Sequence, residues 1–283
     1  MRQRLFLSLC VTGAVFLAAC DRQPDAEREL QDLNVIDESG LSDIMLNASD
    51  PQESVRYFRT ATAANPERLD LKRGLAKSLV RAGLQRESLL VWKEITEHEE
   101  AENADRVDYA DALIRAGDWE AAGKMLDTVP PTYETFKRYR LEAMVADSEE
   151  EWPKADSFYE TAVGLTTQPA SVLNNWGYSK LTRGKYADAE KLFAESLKYD
   201  ENLFTAKNNL ILARGAQRNY DLPVIPMTQV ERAQLLHTMA LTAIKQGDIV
   251  TGKSLLKQAI ETHPQHFEAA VRSLSALEEN VVN

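Results

Sequence analysis

Residues 247–254 carry the most specific chemical motif of the chain, a full match to the P-loop pattern GxxxxGK followed by Ser or Thr. In a P-loop, backbone N–H groups and the lysine surround the phosphates of a nucleotide. That cradle forms only where the loop follows a buried strand and opens a helix. Residues 233–246 instead have the period of a helix, and Gly247 and Gly252 fall where a helical repeat needs a turn and close packing. Nucleotide binding at 247–254 is therefore a remote alternative.

Other residue types that carry chemistry are few. His263 and His266 have a spacing that a metal could use, but a proline lies between them and no thiol or third ligand is near. Both cysteines, Cys10 and Cys20, lie in the first twenty residues, so the rest of the chain has no thiol for a disulfide, a metal or a nucleophile. We therefore expect a protein that is not an enzyme and has no metal, cofactor or small-molecule substrate.

The N-terminal residues have the layout of an export signal. Arg2 and Arg4 precede an uncharged apolar run at 5–16, which is too short to span a bilayer stably. The run ends in four residues that resemble a bacterial lipobox, which implies cleavage before the cysteine and a lipid on its sulfur: Leu17, Ala18, Ala19 and Cys20. The alternative is an ordinary signal peptide with an incidental cysteine.

Charge limits the possible partners. The chain has 33 Lys and Arg against 44 Asp and Glu, a net charge of −11, which disfavours nucleic acid because phosphate binding needs a concentrated basic face. An acidic protein is also repelled by anionic lipid, so membrane attachment would depend on acyl chains at Cys20. We expect a periplasm-facing envelope protein. Asp21, directly after the cysteine, resembles an inner-membrane retention signal of enteric bacteria, and the choice of inner or outer membrane stays open.

A repeat organises the remaining sequence. Gly83 and Gly117 are 34 residues apart, and aligning them reveals a common frame of small and large apolar residues that returns around Gly184 and Gly247. Small residues let two helices approach closely, while leucines and aromatic residues fill the space between repeats. The glycine after each first helix supplies a left-handed turn. Helix starts are predicted at Asp50-Pro51 and at the Thr228-x2-Glu231 capping box.

This frame resembles the tetratricopeptide repeat. The resemblance implies an all-α fold: a superhelical solenoid of about six repeats, plus a broken repeat and a C-terminal capping helix. The chain is then divided as follows: 1–19 a removed lipoprotein signal peptide, 20–34 a lipid anchor and tether, 35–203 repeats 1–5, 204–232 a degenerate repeat with a proline-containing interruption, 233–266 the last repeat, and 267–283 the capping helix and tail.

In tetratricopeptide repeats the first helix of each pair lines a groove that holds a partner. The frame places eight candidate groove residues between the packing positions: Arg73, Arg140, Asn174, Asn175, Tyr178, Asn208, Asn209 and His237. Asparagine amides both donate and accept hydrogen bonds, so the four asparagines form a candidate ladder for an extended peptide. The alternative is ordinary surface asparagine. The apolar segment from Leu222 to Met227 is a second candidate contact, which either packs on its own helices or docks a partner.

Nearly the whole chain resembles TadD-like repeat lipoproteins of tight-adherence (Flp) pilus systems. The lipobox, the repeats and the Tyr220-Asp221-Leu222-Pro223 interruption carry the resemblance. It implies a pilotin-like factor that helps assemble or localise the pilus secretin without catalysis. Pilotins of type IV pili and lipoproteins of outer-membrane barrel assembly share a lipobox and repeats. The alternative function is therefore a scaffold for cell-wall hydrolases or for barrel assembly.

Overall fold

A computed structural model describes residues 41–281, and this part of the chain is helical without any strand. The predicted signal peptide, lipobox, Cys20 and tether lie outside the described residues. The chain divides at Ala82 and Gly83 into two compact units. Among the described residues, no helix is both long enough and apolar enough to cross a membrane.

The first unit contains a helical segment at 41–47 and the helices α1 (Pro51–Ala64) and α2 (Leu69–Arg81). Asp50 caps α1 by accepting hydrogen bonds from two backbone N–H groups of the first turn, and Pro51 stands at the first helical position, as predicted. The helices touch where Phe58 covers Gly74, and a Cβ atom at Gly74 would lie 2.3 Å from the ring. A larger residue at Gly74 would therefore separate α1 from α2.

The second unit continues the helical hairpins. Its regular helices are α3 (Gln85–Glu97), α4 (Asn103–Arg115), α5 (Trp119–Asp127), α6 (Phe136–Ser148), α7 (Trp152–Gly164), α8 (Ala170–Thr182), α9 (Tyr186–Tyr199), α10 (Phe204–Ala216), α11 (Gln229–Lys245), α12 (Ile249–Thr262) and α13 (Glu268–Val281). The predicted left-handed glycines are confirmed, with φ of 73° at Gly83, 83° at Gly117, 73° at Gly184 and 84° at Gly247. The α6–α7 turn instead holds Glu150 at φ 60°, and a side chain makes that conformation unfavourable.

Small residues set the helix spacing in this unit. A Cβ atom at Gly177 on α8 would lie 2.6 Å from the Phe193 ring on α9, and one at Gly252 on α12 would lie 2.4 Å from Ile244 on α11. The core is a series of buried clusters that follow one another along the chain. Each hairpin therefore packs chiefly on its neighbours, as the repeat frame predicts.

The regular order is interrupted between α10 and α11. Tyr220, Leu222 and Met227 pack on the apolar cluster of α11, α12 and α13, while Ile225 packs on the cluster of α9 and α10. Most apolar residues of the segment from Leu222 to Met227 therefore pack on the protein's own helices, which was the first of the two alternatives. Val224 is the exception and is fully exposed. Proline residues 223 and 226 prevent a helix here. Helix α11 then begins at Gln229, four residues before the predicted repeat at 233.

Two polar contacts stabilise the start of α11 after the interruption. The Thr228 side chain accepts from the Glu231 backbone and the Glu231 side chain accepts from the Thr228 backbone, which is the predicted capping box. The Glu231 carboxylate also accepts a hydrogen bond of 3.0 Å from Lys207 Nζ on α10, and Lys207 is buried. One carboxylate thus both caps α11 and neutralises a buried lysine of the preceding helix.

Candidate groove between α6, α8 and α10

Three alternate helices of the second unit line a cavity of about 310 Å³. Helix α8 contributes Asn174, Asn175 and Tyr178, and helix α10 contributes Asn209. The structure thus brings together four of the eight predicted groove residues. The remaining lining residues are Met144 and Asp147 from α6, Tyr159 from α7 and Thr205 from α10.

Helical spacing explains why these side chains converge. Asn174 and Tyr178 are four residues apart on α8, Thr205 and Asn209 are four apart on α10, and Met144 and Asp147 are three apart on α6. Residues three or four apart share one face of a helix. Helix α8 contacts both α6 and α10, as well as its sequence neighbours α7 and α9. Each lining helix therefore presents one face to the same space.

The asparagines of adjacent hairpins are joined to each other. Asn209 Nδ2 donates a hydrogen bond of 3.1 Å to Asn174 Oδ1, and these side chains are only 7% and 9% exposed. Asn175 Nδ2 donates to the thioether sulfur of Met144 at 3.6 Å. The Asn174–Asn209 bond orients both amides and leaves the Asn174 amide nitrogen and the Asn209 carbonyl oxygen for a ligand.

The lining of the cavity includes one carboxylate, Asp147. Tyr159 Oη donates to Asp147 Oδ2 at 2.9 Å, and Ser179 Oγ donates to Asp147 Oδ1 at 2.6 Å. Burial raises the pKa of Asp147, and the two hydroxyl hydrogen bonds only partly offset that rise. Burial and the neighbouring carboxylate also raise the pKa of Tyr159, which is 2% exposed. The phenol is therefore a permanent neutral donor to Asp147.

A second carboxylate, Asp156 on α7, has the opposite environment. Arg183 Nη2 and Lys180 Nζ each lie 2.7 Å from its oxygens, and Trp176 Nε1 donates to it at 2.8 Å. Burial raises the pKa of Asp156, but the hydrogen bonds from Arg183, Lys180 and Trp176 outweigh that effect and lower it below its ordinary value of 3.8. Asp156 thus ties α7 to α8.

The other predicted groove residues lie outside the cavity lining. Arg140 on α6 has a buried Nε atom without a hydrogen-bond partner, and its charge acts on Tyr159. Asn208 accepts a hydrogen bond of 2.9 Å from Thr238, which holds α10 to α11. His237 lies 3.1 Å from Ser273 on α13, and burial lowers its pKa. Arg73 is half-buried on α2, in the first unit.

Sequence reasoning missed the lining residues on α6 and α7. Met144 and Asp147 follow the nominated Arg140 by four and seven residues, so helical spacing alone points to them. No comparable spacing in the sequence indicated Tyr159 or Thr205 as lining residues. Tyr159 occupies a packing position of the frame, and only its hydrogen bond to Asp147 relates it to the groove.

The P-loop pattern folds differently from a nucleotide site. Helix α11 precedes it instead of a strand, and α12 begins inside the motif at Ile249. Asp248 caps α12 by accepting from the Thr251 backbone, and Lys253 pairs with Glu278 on α13 at 2.8 Å. The backbone and the lysine of the motif therefore take part in a helical hairpin.

The two turn histidines have local partners. His263 stacks on Phe267 with ring centroids 4.9 Å apart, and His266 lies 2.9 Å from the Glu268 carboxylate. Within residues 41–281, no three His, Cys, Asp or Glu side chains are grouped so that they could hold a metal ion.

A second cavity, of about 790 Å³, lies between the interruption and helices α11 and α12. Its lining includes Leu222, Val224, Leu236 and Val250. Val224 and Val250 are the most exposed of these apolar side chains. Polar and apolar groups contribute about equally to the exposed wall of this cavity, which also includes Asp221, Arg232 and Gln258.

Comparison with known proteins identifies relatives of similar fold. No protein-family model matches the chain. A curated relative, tetratricopeptide repeat protein 21B of Mus musculus, is 27% identical over 127 residues, and the match covers 41% of this chain but only 9% of that protein.

Solved structures match over a larger share of the chain. The anaphase-promoting-complex hetero-tetramer Cut9–Hcn1 has a TM-score of 0.61 at 12% identity, with coverage of 83% of this chain and 48% of that one. A tetratricopeptide repeat protein from Parabacteroides merdae has a TM-score of 0.57 at 12% identity, with coverage of 84% and 96%. The all-helical architecture and these likenesses show that the chain has the tetratricopeptide-repeat fold.

Proposed function

We propose that this chain is a non-enzymatic protein-interaction module that binds an extended segment of another protein in the groove of α6, α8 and α10. The oriented Asn174–Asn209 pair carries the proposal. It offers one free amide donor and one free carbonyl acceptor beside a cavity. A peptide backbone presents C=O and N–H groups in alternation, so it satisfies both groups at once.

The groove suits a peptide better than the second cavity does. Its open side includes Tyr178, which is 54% exposed and can lie against a bound chain. Tyrosine supplies a large contact area at small cost in side-chain entropy, which is why it is frequent in binding surfaces. In the second cavity, most apolar side chains of the interruption already pack on their own helices.

We further propose that the module works in a bacterial envelope, held to the membrane by lipid on Cys20. The sequence Leu17-Ala18-Ala19-Cys20 after an uncharged run supports export and lipidation. Two or more acyl chains are needed for stable anchoring of an acidic protein. Cys20→Ser should give an unprocessed precursor, measured by mass spectrometry of the membrane fraction. A mature species that still carries a lipid mass increment would contradict the proposal.

The resemblance to repeat lipoproteins of Flp pilus systems supports a pilotin-like role in assembling the pilus secretin. The alternative is a scaffold for cell-wall hydrolases or outer-membrane barrel assembly, and the lipobox and repeats support it equally. The membrane leaflet stays open because Asp21 follows the lipidated cysteine.

A complementation experiment separates these functions. The gene is deleted and replaced by the wild type, by Asn174→Ala with Asn209→Ala, or by Lys253→Ala as a control outside the groove. We expect loss of secretin multimers and surface pili in the deletion and in the asparagine double variant, with normal pili for Lys253→Ala. Loss of cell shape or of barrel proteins would instead favour the scaffold. Normal pili in the double variant would refute the groove.

A further inference from the structure

Asp147 differs from three other half-buried carboxylates of the second unit because no cation pairs with it. Glu142 is paired with Arg138 at 2.7 Å, Glu190 with Arg214 at 2.7 Å, and Glu231 with Lys207 at 3.0 Å. The two direct contacts of Asp147 are neutral hydroxyl groups, from Tyr159 and Ser179. A buried carboxylate without a cation is unfavourable, so the site gains free energy when a ligand supplies one.

The walls of the cavity suit the stem of a long basic side chain. Met144 lies one turn before Asp147 on α6, and its thioether is polarisable and adaptable. Tyr178 on α8 offers an aromatic ring beside it. Lysine and arginine bury their methylene stems on such surfaces while their charged heads reach a polar group, and aromatic faces attract the cation.

We propose that Asp147 makes this cavity a subsite for a basic side chain, arginine or lysine, of the bound protein segment. The charged head contacts the Asp147 carboxylate, and the stem lies between Met144 and Tyr178. The proposal rests on the proposed function, since it names the residue class that the peptide groove selects. The net charge of −11 adds a general attraction for a basic partner.

Two cationic residues near Asp147, Arg183 and Arg140, affect the binding of the basic head of a ligand. Arg183 acts on Asp147 electrostatically, but its guanidinium is held by Asp156. Arg140 is unpaired and stands seven residues before Asp147 on α6, about 10 Å along the helix axis. Arg140 lies outside the cavity lining, but its charge acts on Tyr159, which donates to Asp147, so it weakly opposes a ligand cation there.

Protonation gives this subsite a characteristic pH dependence. Burial raises the pKa of Asp147, and Arg183 and Asp156 act on that carboxyl in opposite directions. A cation binds the ionised form, so affinity rises with pH through the raised pKa and is constant above it.

The test is a methyl NMR titration of the full chain labelled with methyl-13C methionine. The probe is N-acetyl-arginine amide, and N-acetyl-citrulline amide is its uncharged isostere. We expect a saturable shift of the Met144 methyl signal with arginine and at least about tenfold weaker binding of citrulline, because the ligand cation is lost. Met125 and Met227 lie outside this cavity and report non-specific binding.

Variants separate this proposal from the groove proposal. Asp147→Asn should weaken arginine binding at least about tenfold. Arg140→Gln should strengthen it about twofold by removing a like charge. Lys253→Ala lies outside the groove and should leave the arginine titration unchanged. The groove proposal is judged separately, by the complementation experiment with Asn174→Ala and Asn209→Ala. Equal binding of arginine and citrulline by the wild type, or unchanged arginine binding by Asp147→Asn, would overturn the subsite. The citrulline comparison needs no variant and so is independent of folding defects.

Discussion

Asp147 and Asp156 are nine residues apart on neighbouring helices, and their side chains have opposite electrostatic environments. Asp156 is surrounded by Arg183, Lys180 and Trp176, and its pKa is lowered. Asp147 receives only hydroxyl hydrogen bonds, and its pKa is raised. Asp156 therefore holds helices together through its ion pairs, whereas the charge of Asp147 is left for a ligand.

The two carboxylates are nevertheless connected. Arg183 Nη2 donates to Ser179 Oγ at 2.9 Å while it pairs with Asp156, and Ser179 donates in turn to Asp147. Arg183 also lies over the Trp152 ring, 5.2 Å from its centroid. The ion pairs behind the groove thus fix the serine that orients the carboxylate inside it.

The largest expected effect is the loss of stability in Asp156→Asn. The change leaves Arg183 and Lys180, which are 6% and 13% exposed, without their anion. We expect about 2–3 kcal/mol of destabilisation, below the usual loss for a broken buried pair because Asp156 is 28% exposed. Urea unfolding measures it. Asp147→Asn is the matched control and should change the unfolding free energy by less than about 1 kcal/mol; equal losses would contradict the comparison.

The same variants should respond to pH with opposite signs. The lowered pKa of Asp156 contributes stability that is present above its ordinary value of 3.8 and is lost as pH falls through the native pKa. The raised pKa of Asp147 contributes stability at low pH that is lost as pH rises from 3.8 through its native pKa.

Urea unfolding between about pH 3 and pH 6 tests this difference. Relative to the wild type, Asp156→Asn should become less stable as pH rises, and Asp147→Asn should become more stable. Parallel pH profiles for the two variants would show that the carboxylates do not differ.

A smaller effect is expected in the turn between the helices that carry these two residues. Glu150 has a φ of 60°, where four other hairpin turns have glycine. Glu150→Gly should remove the unfavourable side-chain contact and stabilise the protein by about 0.5 kcal/mol, after the entropic cost of glycine. Gly117→Ala, at φ 83°, should destabilise by about 1 kcal/mol. Thermal unfolding measures both, and the same sign in both variants would contradict this account.

The sequence predicted much of the fold because the repeat places local signals at fixed intervals. The all-helical class, the left-handed glycines such as Gly117 and the Thr228–Glu231 capping box are confirmed. The close contact of Gly177 with Phe193 also follows from the frame. These features depend on residues that are near in sequence or one repeat apart, so periodicity is enough to find them.

The groove was less accessible to sequence reasoning because it depends on side-chain direction. Asn208 and Asn209 are adjacent in sequence, yet only Asn209 enters the cavity, while Asn208 bonds to Thr238 on α11. Asp147 and Asp156 both look like ordinary surface acids in the sequence. Their opposite environments arise from Tyr159 and Arg183, which are 12 and 27 residues away from them.

The central claim, that the groove holds a partner, is tested most directly by photo-crosslinking in cells. A photoreactive amino acid replaces Tyr178 in the groove or Tyr199 at the end of α9, and the two side chains are 54% and 55% exposed. We expect a discrete crosslinked protein at position 178 that disappears with Asn174→Ala and Asn209→Ala, and no such product at position 199. The same product at both positions, or one at 178 that survives the asparagine changes, would contradict the account.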